Sequence, residues 1–292
     1  MKKHTIYKSE KGKELIKSHY DFYVGSMNLD FEHKYVDTRL GKTHILLTGP
    51  KEGKPLIILQ GGNCINPMTL SWFSPLLKEY RVYAPDTIGH PGYSEEIRLS
   101  TKDEGMAFWL LDLMENLQIK KSAFVGPSYG AGIILRLATY LPEKLACSVL
   151  VSPSGINLSS KLSMIRKILI PLLGFKLTSS KKKLQLISDV MSMGSMKEID
   201  EIIVGDIFKY VKLEQDMPKL TTRDELLNYS APTLVIAGKQ DIFFPGELIS
   251  KRANEIIPNL ISTNLYDMGH FPSEECLRSI NLDIKEFFET YY

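Results

Sequence analysis

Residues 124–132 read FVGPSYGAG. A β-branched and aromatic run stops abruptly in glycine, a serine stands between two glycines, and helix-forming residues follow. Read with SAFVG before it and IILRLATYL after it, the stretch is a strand that turns sharply into a helix. Ser128 occupies the turn. In a G-x-S-x-G elbow the serine backbone is strained, and side chains two residues away would strike the neighbouring strand and helix, so both positions are glycine. The geometry pushes the hydroxyl into the open and leaves the next backbone N–H unpaired at a helix N-terminus.

Outward from this elbow, strand and helix alternate. HKYVDT and KTHILLTG form a predicted hairpin around Arg39-Leu40-Gly41, and LIILQGG reads as a strand buried on both faces. TLSWFSPLLKEY is helical in period, RVYAPD is a strand, and Ser100 or Thr101 is placed to cap a helix through MAFWLLDLMENLQI. CSVLVSP, TLVIAG and ISTNLYDMG supply further strands, with helices through ELISKRANEII and LRSINLDIKEFFETYY. This is the α/β pattern of a mostly parallel sheet with helices on both faces. Only helical periodicity fills 156–228, which reads as a cap inserted between two parts of a core, 31–155 and 229–292. Residues 1–30 read as a helical leader, docked through Tyr20, Phe22, Tyr23 and Met27.

A serine hydroxyl attacks poorly unless a base takes its proton and an acid orients that base. Asp241, in TLVIAGKQDIFFP, and His270, in LYDMGHFPSEE, both lie just past strand ends, on the same rim of the sheet as Ser128. The other histidines compete poorly: His4 and His19 lie in the leader, His33 and His44 in the hairpin, and His90 in a loop where a structural role fits. Asp267 rivals Asp241 as the acid but belongs to the strand end that carries His270. Asp86 reads as a loop-bracing carboxylate. Attack on a carbonyl puts negative charge on its oxygen, and preorganised N–H donors there are worth about 3–4 kcal/mol each. The N–H of Tyr129 is one candidate. Gly62, in the Gly61-Gly62-Asn63 loop, is the chosen second, with Asn63 as its alternative.

Taken in order, LIILQGG, RVYAPDTIGHPGYS, VGPSYGAG, PTLVIAGKQDIFFP and MGHFPSEE resemble the α/β-hydrolase superfamily, specifically the bacterial carboxylesterase-like serine hydrolases. The resemblance covers nearly the whole chain from about Phe31. It implies an α/β-hydrolase fold with an eight-stranded sheet and a helical cap after the sixth strand. It also implies a triad of Ser128, Asp241 and His270 acting on a small-molecule ester with neither metal nor organic cofactor. Two departures stand out: Gln60-Gly61 replaces the family's usual His-Gly, and Pro127 precedes the serine where a polar residue is common. A serine nucleophile argues against dehalogenase or epoxide-hydrolase chemistry, which needs a carboxylate. Perhydrolase, carbon–carbon bond hydrolase and aminopeptidase chemistry remain alternatives within enzymes, and a slow-turnover ligand receptor remains one outside them.

Bulk properties narrow the class. A net charge of +2 with no aromatic-interleaved basic stripe excludes a nucleic-acid signature. Three scattered cysteines suggest neither disulfides nor a zinc site, and no apolar run reaches membrane-spanning length, so a cytoplasmic monomer or homodimer is expected. Between Glu143 and Asp189 there is no acidic residue, while lysines and an arginine stand among leucines and isoleucines. The apolar positions would roof a pocket, with Met191, Met193 and Met196 serving either as flexible lining or as core packing. The lysines are expected to be solvated; the alternative is that the excess charge attracts an anionic substrate or membrane surface, membrane contact being possible but not expected.

Overall fold

The computed structural model describes residues 5–292; the first four residues of the expected leader, His4 among them, lie outside the described part. Eight strands form one sheet in the order β1-β2-β4-β3-β5-β6-β7-β8. They are β1 (Glu32–Thr38), β2 (Gly41–Thr48), β3 (Pro55–Ile58), β4 (Arg81–Pro85), β5 (Ser122–Pro127), β6 (Leu145–Val151), β7 (Thr233–Gly238) and β8 (Leu260–Tyr266). The hairpin β1–β2 pairs antiparallel, as do β2 and β4, and every pairing from β4 through to β8 is parallel. The central strands β5 and β7 are buried at every position, which is why their sequences run apolar without alternation.

Successive side chains of a strand point to opposite faces, and the core divides accordingly. On one face, Leu56, Ile58, Val125, Val149 and Ile236 pack with helix α1 (Glu10–Ser26) and, near the C-terminus, with Ile284 and Phe288. The other face packs Ile57, Phe124, Leu150 and Val235 against α3 (Gly105–Asn116) and α4 (Tyr129–Tyr140), whereas Met68 and Leu70 of the short α2 (Asn66–Leu70) pack on the α1 side. Between β6 and β7 the elements are α5 (Lys161–Met164), a π-helical turn (Ile165–Leu169), α6 (Ile170–Thr178), α7 (Lys181–Ser192), α8 (Glu198–Tyr210) and a 3-10 turn (Asp224–Leu226), with no strand among them. α9 (Gly246–Ile256) and α10 (Glu274–Tyr291) complete the two helical layers.

Three local expectations change. The stretch predicted as one helix over 69–80 breaks into α2 and two 3-10 turns, Ser71–Phe73 and Leu76–Lys78, because Pro75 lacks the N–H a continuing helix needs. Neither Ser100 nor Thr101 caps α3: the Ser100 hydroxyl accepts from Lys102 N at 3.1 Å, and α3 starts after Glu104 without a side-chain cap. In the leader, Ile16, Tyr20 and Tyr23 are buried but Phe22 is 60% exposed. α1 also grips α8: Tyr23 Oη donates to Asp200 Oδ1 at 3.0 Å, and His19 Nε2 lies 2.8 Å from Asp206 Oδ2.

The elbow glycines answer to contacts that their sequence pattern anticipates. A Cβ on Gly126 would lie 2.6 Å from the Gly130 carbonyl carbon and 2.7 Å from Ala131 N; one on Gly130 would lie 2.9 Å from Leu59 Cβ. Backbone cannot yield cheaply there. Gly126→Ala is therefore expected to lower the unfolding free energy by about 3 kcal/mol, at the upper end of overpacking costs, measured by urea denaturation. A loss below about 1 kcal/mol would show that the elbow can relax.

Candidate active site

The serine sits where β5 must stop. Its backbone takes φ 52° and ψ −112°, a left-handed region that a non-glycine residue occupies only when its surroundings enforce it. The surroundings do so through the main chain. Ser128 N donates to Val151 O at 2.8 Å, and Ser128 O accepts from Ser154 N at 3.2 Å and from the Ser154 hydroxyl at 3.0 Å. The last residue of β6 and the loop after it thus fix the elbow from outside.

Behind the opposite wall, Asp241 and His270 form a buried pair. Asp241 Oδ2 lies 2.8 Å from His270 Nδ1, while Oδ1 accepts from Phe243 N at 2.8 Å and Phe244 N at 3.1 Å. Both residues are buried, because β7 and β8 end side by side and deliver their following loops to one place. The rings of Phe243, Phe244 and Phe271 lie edge-on around the imidazole at 4.8, 5.5 and 5.9 Å between centroids. Asp267, the rival acid, is exposed. It contacts the Cys276 thiol through its carbonyl and takes no part in this pair.

Ser128 and His270 line one cavity of about 250 Å³ together with Gly62 and Tyr129, roofed by Met164, Ile168 and Leu172. No hydrogen bond joins the serine hydroxyl to the imidazole, a bond that often tightens only when substrate arrives. At the cavity floor the donors sort themselves out. Gly61 N donates to the Thr69 hydroxyl at 3.3 Å and Asn63 N to His90 Nδ1 at 3.4 Å. Among the described residues, the N–H groups of Gly62 and Tyr129 donate to no protein acceptor. Asn63 N is thus engaged by His90, while Gly62 N has no protein partner among the described residues.

The two departures from the family pattern have structural accounts. Gln60 is fully buried, its Oε1 accepting from Thr87 N at 2.8 Å and its Nε2 donating to Cys64 O at 2.5 Å and Pro91 O at 3.0 Å. It ties the loop after β3 to the loop after β4. Pro127 lines the cavity and adds apolar wall.

The long-range partnerships at the site escape sequence reasoning. His90 packs its ring 4.6 Å from that of Tyr129, and burial, with Arg98 nearby, pushes its pKa down to about 3, so it stays neutral. Asn63 is clamped to the segment after α8: its Oδ1 accepts from Glu214 N at 2.6 Å and its Nδ2 donates to Glu214 O at 3.2 Å. Of the three methionines, Met191 lines the cavity whereas Met193 is 51% exposed and Met196 packs against the core. Asp86 does brace its loop, accepting from Tyr20 Oη at 2.8 Å, Asn66 Nδ2 at 2.9 Å and Tyr93 N at 2.8 Å. His44, read as a bystander, lies 2.9 Å from Asp86 Oδ2 and 3.0 Å from His33. None of these partnerships is marked by a local motif.

Comparison with known proteins agrees with this architecture. Residues 54–178 match the family described as alpha/beta hydrolase fold. The uncharacterized carboxylesterase nap of Bacillus subtilis is 26% identical over 265 residues, covering 87% of this chain and 85% of the relative. The YbfK carboxylesterase of the same organism is 25% identical over 273 residues, covering 92% and 91%. The crystal structure of naproxen esterase from Bacillus subtilis superposes with a TM-score of 0.80 at 23% identity, covering 94% of this chain and 96% of that one.

Proposed function

We propose that this chain, which is a carboxylesterase-like hydrolase of the α/β-hydrolase fold, cleaves small carboxylic esters through an acyl-enzyme on Ser128. The observation that carries the reading is the buried Asp241–His270 pair, 2.8 Å apart, opening on the cavity that Ser128 lines. Asp241 accepts a hydrogen bond from the Nδ1–H of His270, holding that tautomer and leaving Nε2 free as the base. Ser128 Oγ attacks the acyl carbon while its proton passes to Nε2. The N–H groups of Tyr129 and Gly62 hold the oxyanion. As the carbon–oxygen bond to the alcohol breaks, the imidazolium returns the proton to the leaving alkoxide. Water, deprotonated by the same nitrogen, then adds to the acyl carbon; the bond to Ser128 Oγ breaks, the imidazolium returns its proton to Oγ, and the carboxylic acid leaves.

The wall chemistry narrows the substrate. Phe243, Phe271, Trp72, Ile168 and Leu172 offer apolar surface, suited to an uncharged acyl group of short or medium length. Glu214 also reaches the cavity, but Arg98 Nε lies 3.1 Å from its Oε2, and its Oε1 accepts from the N–H groups of Gln215 and Asp216. A carboxylate so engaged does not grip a substrate ammonium, which counts against the aminopeptidase alternative. The test is a fluorophosphonate probe together with a series of p-nitrophenyl esters from acetyl to palmitoyl. Labelling at Ser128 and turnover that peaks below the longest chains are expected. Absence of both labelling and turnover would remove the proposal.

A further inference from the structure

The helix from Lys161 to Thr178 departs from the pattern in which a surface helix turns its polar side to water. Its inner side is apolar, as a roof requires: Met164, Ile168 and Leu172 line the cavity and Phe175 is buried. Its outer side is apolar too. Leu162, Ile165, Leu169, Ile170, Leu173 and Leu177 are each between 44% and 78% exposed. Lys161, Arg166, Lys167 and Lys176 are exposed among them, and among the described residues none of these four forms an ion pair. Nor does the chain place any acidic residue between Glu143 and Asp189 to balance them.

We infer that this outer face docks on an anionic lipid bilayer, with the leucines and isoleucines entering the headgroup–acyl boundary and the cations meeting lipid phosphates. Basic residues interleaved with large apolar ones are the composition that binds such a surface. A second copy of the chain fits less well, because a two-fold contact would set this uncompensated positive face against itself. The position of Leu169 gives the docking a consequence: it is 51% exposed and also lines the cavity, so the face that meets lipid borders the pocket. Apolar esters dissolved in the bilayer would then be presented at the pocket edge.

The experiment is co-sedimentation of the full chain with vesicles of phosphatidylcholine alone and of equimolar phosphatidylcholine and phosphatidylglycerol. Binding to the anionic vesicles, lost as salt screens the charges, and weak binding to the neutral ones are expected. Two variants, Leu173→Asp with Leu177→Asp and Lys167→Glu with Lys176→Glu, should each reduce the bound fraction by about tenfold. Hydrolysis of a water-soluble acetyl ester should be unchanged, since none of the four side chains lines the cavity. Because the readout is binding, it stands or fails separately from the esterase reading. No binding to anionic vesicles, equal binding to both kinds, or wild-type binding by the charge-reversed variant would overturn the inference. So would a concentration-dependent dimer that the double aspartate variant dissociates in the absence of vesicle binding.

Discussion

Ser128→Ala should lower kcat for a short p-nitrophenyl ester by at least about a thousandfold, the loss that follows when a nucleophile acting as part of a unit is removed, while the melting temperature stays within about 2 °C. The two halves of that result rest on different atoms. What holds residue 128 in its left-handed conformation is main chain, through Val151 O and Ser154, and alanine keeps all of it. The hydroxyl itself makes no hydrogen bond to the protein among the described residues, so deleting it leaves no buried partner unpaired. A residual rate from the oxyanion donors and the cavity is expected to remain. Wild-type turnover in this variant would exclude Ser128 as nucleophile. A collapse of Tm would show that the hydroxyl has a structural duty the geometry does not reveal.

What the sequence discloses and what it conceals divide along the range of the interactions involved. The elbow is legible because its constraint is local. Gly126 and Gly130 exclude side chains from contacts within a few residues and with one adjoining strand, and that demand is written as glycine at fixed offsets. Asp241 and His270 are legible for a related reason: a parallel sheet delivers every strand end to the same rim, so position after a strand stands in for position in space. The break at Pro75 was legible in principle, since proline states its own constraint. The clamp between Asn63 and Glu214 spans 151 residues of sequence, and no spacing rule connects them. Phe22, Met193 and the outer face of the cap helix fail for a different reason. Hydrophobicity says that a residue prefers burial, but only the packed structure says whether a partner is there to bury it.

Asp241→Asn is expected to lower kcat by about 10⁴-fold with little change in stability, because the local hydrogen bonds dictate which way the amide turns. Oδ1 of Asp241 accepts from the backbone N–H groups of Phe243 and Phe244, and Oδ2 faces His270 Nδ1. An asparagine keeps the two backbone bonds only by pointing its carbonyl oxygen at them. Its NH2 group then faces the imidazole, which must present Nδ1 as an acceptor and carry its proton on Nε2. A ring protonated on Nε2 cannot take the proton of Ser128. All three positions stay hydrogen-bonded, so Tm should move by only a few degrees. Asp241→Ala makes the contrast: it removes the acceptor of two buried N–H groups, and a further stability loss of about 1–3 kcal/mol is expected on top of the lost activity. Kinetics and thermal melts on the two variants separate these effects. If Asp241→Asn retained more than about a tenth of wild-type kcat, the carboxylate would not be setting the tautomer, and the role assigned to Asp241 would have to be withdrawn.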